Sequence, residues 1–283
     1  MATTYKSLST NDIVTTKTLL HEAIPITGTI ISGTYKTGTT EHNIKNYTHG
    51  MFQSVYDYPY LSSSANHIID ITCGYSAKSA LSASTSIQNS KKINIYNQMA
   101  QVLVGHDADG NIRDFDEDGN LAGGTKIKEA YFVNFSRLLM KDEIKKGTFA
   151  LDLYVGDSAP DIDGDGSDRG RFIRIADLGA ANSYYVNSPA GEYGILYSNL
   201  ETHTTAQTQS VGLVYYQAGV AVLSASIFND DFGNPGEHAL TRNVKLLDTD
   251  RGSSLGLTGS AALLTSASLD SIAKVINHRI HNV

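Results

Sequence analysis

The chain has 283 residues, of which 41% are hydrophobic and 18% charged, and its formal net charge is −7. That length suits one large domain or two ordinary ones; the acidic balance provides no basic stripe for a phosphate backbone, so direct nucleic-acid binding is not expected. The charged fraction lies below the roughly 25% of an average soluble domain, and no apolar run is long enough to span a bilayer, so membrane insertion is not expected either.

The chain opens on polar residues, Met1-Ala2-Thr3-Thr4, without the basic-then-apolar pattern of a signal peptide. Synthesis and folding in the cytoplasm are the expectation. Residues 1–24 read as an N-terminal extension or arm, ending in the apolar patch Leu19, Leu20 and Ile24. Residues 25–260 read as a β-rich main domain with long loops, and 261–283 as a C-terminal helix. Within the main domain, Ile26 to Tyr35 alternates β-branched residues between glycines and predicts a strand. Lys36 to Ser64, rich in Tyr, His and Asn, lacks periodicity and reads as a long ordered loop.

Lone Cys73 lies in the alternating stretch Ile69 to Gly74 and is read as a small buried core residue, with no second cysteine for a disulfide. Lys91 to Val104 carries the next helical pattern. Ile93, Tyr96, Met99 or Ala100, and Leu103 fall on one face, with Ser90 as cap and Gly105 as stop. The doubled cations Lys91-Lys92 and Lys145-Lys146 read as solvated turns or helix ends.

An acidic, glycine-rich loop follows, from His106 to Gly124. Tyr131 to Met140 is apolar and ambiguous between strand and helix, and Lys141 to Gly147 is a charged turn. Phe149, Leu151, Leu153 and Val155 then alternate as a strand. A second acidic loop, Gly156 to Arg169, leads into the strand Phe172 to Ala176. Val211–Tyr216 and Val220–Leu223, joined by Gln217-Ala218-Gly219, give the clearest hairpin signal in the chain. Leu263, Leu264, Leu269, Ile272, Val275, Ile276 and Ile280 repeat at helical spacing, with Asp270 near the start and His278 and Arg279 near the end, the order the helix dipole favours. The fold class is therefore α+β and β-rich: an antiparallel sheet or sandwich core with a mid-chain helix and a C-terminal helix.

Two loops share the spacing Asp-x-Asp-x-Asp-Gly, one at Asp114, Asp116, Asp118 and Gly119, the other at Asp161, Asp163, Asp165 and Gly166. Alternate carboxylates in a tight loop converge on a hard cation, and Gly at the sixth position permits the turn. The twelfth positions hold Thr125 and Phe172 instead of Glu, so neither loop is an EF-hand. Structural calcium then needs ligands from elsewhere, with Asp109, Asn111, Asp157 and Asp168 nearby. The bland reading is that Asp, Asn and Gly are favoured turn residues between strands. The Asp161 loop, lying between two credible strands, is the better of the two.

Catalytic patterns are sparse, so no catalytic residue is nominated. The nine histidines include no zinc-protease signature, and His278-x-x-His281 lacks a third ligand in sequence. Ser158 in Gly156-Asp157-Ser158-Ala159-Pro160 lacks the second glycine of a nucleophile elbow, and Gly33 to Thr40 holds the ingredients of a phosphate loop in the wrong order. Carboxylate pairs for glycoside hydrolysis meet only in the fold, but the chain has no Trp for a sugar platform; its 16 Tyr suit protein interfaces.

Three segments carry a family resemblance: Lys92–Val104 (KINIYNQMAQVLV), Phe132–Thr148 (FVNFSRLLMKDEIKKGT), and Gly191–Leu196 together with Val211–Leu223. They resemble structural proteins of T-even-like contractile-tailed bacteriophages, over about a third of the chain. The resemblance implies a virion component of the neck, tail or baseplate, present as a homo-oligomer in contact with other phage structural proteins and needing no cofactor. The alternatives are a calcium-stabilised adhesin or receptor-binding module, and a virion-associated polysaccharide hydrolase.

Overall fold

The computed structural model describes residues 36–37, 40–63, 65–83, 85–135, 143–154, 172–200, 209–228, 264–265 and 267–282. The expected arm at 1–24, the strand at 26–35, Ser158 and the second acidic loop lie outside them.

The hairpin signal is realised as β13 (Gln209–Tyr215) and β14 (Val220–Ser224), paired antiparallel from Gly212↔Leu223 to Tyr215↔Val220. Gly219 sits in the connecting turn at φ +64°, the left-handed region that a side chain resists. Around this pair the sheet grows by antiparallel addition. On one side come β8 (Glu129–Asn134), β5 (His67–Tyr75), β4 (Gln53–Tyr56) and β3 (Ile44–Asn46); on the other, β12 (Gly191–Leu200), β10 (Phe172–Ala176), β9 (Ala150–Tyr154) and β15 (Ile280–Asn282). With β11 (Tyr185–Ser188) on β12, the sheet has 11 strands. Two small hairpins stand apart, β1 (Lys36–Thr37) with β2 (Thr40–Glu41), and β6 (Phe115–Asp116) with β7 (Lys126–Ile127). The longer helices among the described residues are α1 (Asn89–Leu103) and α2 (Leu269–Arg279). The fold is thus strand-rich α+β with a large antiparallel sheet.

The sheet curls. Laid flat, β4 and β9 would be seven strand spacings apart, roughly 34 Å. Yet Asn277 of α2 donates to Gln53 of β4 at 3.0 Å, and three residues later Ile280 pairs with Leu153 of β9. Three residues reach only about 10 Å. Phe135, just after β8, likewise meets Phe149, just before β9, with ring centroids 5.6 Å apart. The two halves therefore face each other across one continuous core, and α2 with β15 bridges their ends.

Helix α1 packs on β5 inside this curl. Gly74 permits the close approach: a Cβ there would collide with the Lys92 carbonyl and lie 2.9 Å from Tyr96 N. Tyr96 starts a chain of buried rings, reaching Phe115 at 5.4 Å, with Phe115 in turn 5.8 Å from Phe132 and 6.4 Å from Tyr215. Each such pair adds about 0.5–1.5 kcal/mol beyond area burial.

Several sequence expectations change. The helix starts at Asn89 without a side-chain cap from Ser90, although Gly105 follows its end at φ +81° as expected. Its buried residues include Tyr96, Ala100 and Leu103 of the expected face, with Ile93 and Met99 partly buried beside them, and add Lys92 and Ile95. Lys92 is fully buried, where a solvated lysine was expected, because its ammonium donates to the carbonyls of Leu264 and of Ala267, the latter at 2.7 Å. The expected long ordered loop at 36–64 contains β1 to β4, strands too short to show alternation. The C-terminal pattern leaves the helix at Ile280 and continues as β15. Cys73 is buried as expected. No described helix is long and apolar enough to cross a membrane.

Candidate functional site

The first acidic loop is the candidate metal site from the sequence whose side chains the structure describes; His278 and His281 fall in α2 and β15. Phe115 fixes it: the ring is buried among Tyr96, Phe132 and Tyr215, and its backbone N–H donates to Tyr96 Oη at 3.3 Å. β6 and β7 then pair through Phe115↔Ile127 and Asp116↔Lys126, which throws residues 117–125 into a tight excursion. Its far side is tied to the sheet. Gly119 O accepts from Tyr193 Oη at 2.7 Å and from Asn187 Nδ2 at 3.1 Å, and Glu117 O accepts from Ser210 Oγ at 2.9 Å.

The three aspartates do not share one destination. Asp114 turns away to accept from Ser76 Oγ at 2.6 Å, with Lys78 Nζ at 3.3 Å. Asp116 is fully buried; its Oδ2 accepts from Leu121 N at 2.7 Å and lies 2.8 Å from Lys126 Nζ. Asp118 is exposed and bonds Asn120 through both oxygens, at 3.1 Å to the backbone N–H and 2.6 Å to Nδ2. The peptide turns at Gly119 (φ +73°) and again at Leu121 (φ +62°). The wrapped unit is therefore 116–121, two residues later than the spacing suggests, because Asp114 is held by the β5–α1 connection. Among the described residues no three His, Cys, Asp or Glu side chains form a metal-holding group. Asp161, Asp163 and Asp165 lie outside the described residues, as do Asp157 and Asp168. Asp109 and Asn111 belong instead to a neighbouring turn capped by Asp107.

The local field is negative. Burial, and then the charges of Asp116 and Asp118, push the Glu117 carboxyl above its ordinary value. Burial raises the Tyr193 hydroxyl to about 12; the hydrogen bond with Asn187 opposes that rise, and Tyr185, Asp116 and Asp118 add to it.

A second group was invisible in the sequence because strand register assembles it. Ser54 and Asp70 are partners across β4 and β5, and Ser54 Oγ donates to Asp70 Oδ1 at 2.5 Å. His67 Nε2 lies 2.6 Å from the same oxygen, and Tyr47 Oη 3.1 Å from Ser54 Oγ. The residue types are those of a hydrolase triad, but the order is not. A triad places the imidazole between hydroxyl and carboxylate so that it can take the hydroxyl proton; here the carboxylate stands in the middle.

A third group is structural. Asp177 accepts from Gly147 N at 2.7 Å, Phe149 N at 3.0 Å and Tyr216 Oη at 3.1 Å, pinning the turn before β9. Burial pushes its carboxyl up against these bonds. Lys146 beside it lies 2.5 Å from Glu192 and 3.1 Å from Glu143, over the rings of Tyr184 and Tyr216.

Comparison with known proteins adds nothing to this geometry: no family model, curated protein or solved structure matches the chain.

Proposed function

We propose that the chain is a structural virion protein of a tailed bacteriophage, a tail, baseplate or neck component that assembles in several copies and contacts other virion proteins. The observation that carries the reading is where the resembling segments fall. Lys92–Val104 is almost all of α1, the first three residues of Phe132–Thr148 lie in β8 while 136–142 are outside the described residues, Gly191–Leu196 lies in β12, and Val211–Leu223 covers most of the β13–β14 hairpin. Scattered over more than a hundred residues of sequence, they form one run of adjacent strands, β12-β13-β14-β8, and the helix packed beside it on β5. The resemblance therefore covers a connected core, the part of a fold that a family keeps while loops diverge.

The Ser54–Asp70–His67 order does not activate a nucleophile, so this group gives the alternative reading of a hydrolase no support. Assembly fits the surface. Leu61, Val186 and Val102 are 86%, 69% and 64% exposed, and Tyr58, Leu178 and Tyr184 are exposed as well. Exposed apolar side chains on a helix (Val102), an edge strand (Val186) and turns (Leu61, Leu178) suit contacts with neighbouring subunits.

Peptide mass spectrometry of gradient-purified particles from a phage encoding this chain tests the reading. Peptides spanning α1 and the β13–β14 hairpin should be present at several copies per particle. Particles that lack them would reject it.

A further inference from the structure

The loop between β6 and β7 contains a buried oxygen that the protein leaves unmet. Asp116 is wholly removed from water, and while its Oδ2 is bonded twice, its Oδ1 has no hydrogen-bond partner among the described residues. Buried polar atoms are nearly always satisfied, and an unsatisfied anionic oxygen is among the most costly to bury. The direction in which it faces is informative. Oδ1 of Asp116 and Oδ2 of Asp118 stand 3.9 Å and 3.1 Å from the point that a Cβ on Gly124 would occupy. Gly124, at φ +72°, has no side chain to fill that space.

The charges around this space are unequal. Asp116, Glu117 and Asp118 follow one another in the chain, and the cation in their midst is Lys126. Its ammonium is already engaged by Asp116 Oδ2 at 2.8 Å and Gly123 O at 2.5 Å. A water or a proton would meet Oδ1 but bring no positive charge to Asp118, whose Oδ2 accepts from the neutral Asn120 amide at 2.6 Å. A doubly charged ion answers both.

We propose that the 116–124 loop binds one hard divalent cation, of the calcium class, between Asp116 Oδ1 and Asp118 Oδ2 in the space left by Gly124. Calcium takes roughly 6–8 oxygen ligands, so water completes most of the shell. Two protein carboxylates make a weak site, of the order of 10⁻⁴–10⁻³ M, in the range of extracellular modules. Binding would fasten the loop that Tyr193, Asn187 and Ser210 already hold against the sheet.

Terbium luminescence, excited through tyrosine, reads this loop directly in the full chain, because Tyr193 Oη bonds Gly119 O and the Tyr185 ring packs on Gly119. The metal-stripped protein should give a saturable signal that millimolar calcium displaces, and calcium should raise its Tm. Asp118 is exposed, so Asp118→Asn will fold even where Asp116→Asn does not; it should weaken terbium binding at least tenfold and abolish the calcium-dependent Tm rise. Asp109→Asn, in the neighbouring turn, and the triple variant Asp161→Asn, Asp163→Asn, Asp165→Asn should keep the signal. Absence of a saturable signal, an Asp118→Asn variant that binds like the parent, or loss of the signal in the triple variant would each overturn the proposal.

Discussion

Among the described residues Lys92 and Asp116 are the charged side chains with no exposed surface, and the protein deals with them differently. Lys92, beneath α1, has no carboxylate partner; its ammonium is solvated by the carbonyls of Leu264 and Ala267, and the neighbouring ionisable group is the thiol of Cys73. Asp116, in the β6–β7 loop, has a cationic partner in Lys126 and a backbone donor in Leu121, yet one of its oxygens is unmet. A buried charge surrounded by fixed dipoles serves architecture, here joining α1 to the C-terminal segment. A buried charge with a spare lone pair and a second carboxylate close by is prepared for a ligand. Counting ion pairs would rank the two sites the other way.

The largest effect expected from this contrast lies in the alkaline range. Burial pushes the Cys73 thiol from an ordinary value of 9.0 up to about 12, partly opposed by the charge of Lys92. The unfolded chain releases this proton from about pH 9 and the folded chain only near pH 12, so the contribution is complete below pH 9 and is lost as pH rises through that window. Three pH units correspond to roughly 4 kcal/mol. Buried tyrosines join above about pH 10. Urea midpoints measured at half-unit steps from pH 8 should fall from pH 9 in the parent, and Cys73→Ala should delay the onset toward pH 10. An unchanged onset would show that Lys92 and the thiol are not in the same dry environment.

Next come two matched substitutions. Lys126→Met leaves the Asp116 carboxylate buried without its cation; such losses run to about 3–5 kcal/mol in fully buried pairs. Because the Lys126 side chain is 24% exposed, about 2–3 kcal/mol is expected. Lys92→Met strands two neutral carbonyls but also removes the burial cost of the ammonium, so about 1–2 kcal/mol is expected. Chemical denaturation of the two variants side by side checks the order; a larger loss at Lys92 would break the comparison. Hydrogen exchange should add that Lys92→Met loosens 264–276 and Lys126→Met does not.

The smallest effect belongs to Lys78. Its side chain is 60% exposed opposite Asp114, and Lys78→Ala should cost less than about 0.5 kcal/mol in the same denaturation series. A cost above 1 kcal/mol would assign Asp114 a tighter role in holding the loop's entry.

The parts of the fold that sequence made visible are those with strong local signals. The β13–β14 hairpin shows β-branched runs around a glycine turn, and Phe172 to Ala176 is a strand with its predicted bounds. β12 escaped because Gly191, Gly194 and its tyrosines obscure alternation in a strand whose two edges meet three others. The inward face of α1 was legible at Tyr96, Ala100 and Leu103, but Lys92 was counted as polar, and two carbonyls more than 170 residues away make its burial tolerable. For the acidic loop, spacing found Asp116 and Asp118 but could not show that Ser76 and Lys78 draw Asp114 away. Nor could it show that Lys126 returns to the loop, since pairing of β6 with β7 brings it there.

The bridge formed by α2 and β15 has a consequence for the order in which the molecule can be made. Gln53 and Asn277 are 224 positions apart, and the curl is joined at that point and at the Ile280–Leu153 pair. While the ribosome is still translating the middle of the chain, β3, β4 and β5 can zip together, but the dry roof over Lys92 and the far seam of the sheet do not yet exist. Until residues 264–282 emerge, the nascent chain is an open trough with its apolar lining in water, the kind of species that chaperones hold and that aggregates when left alone. The segment 264–282 thus decides when the core closes as well as how it is shaped.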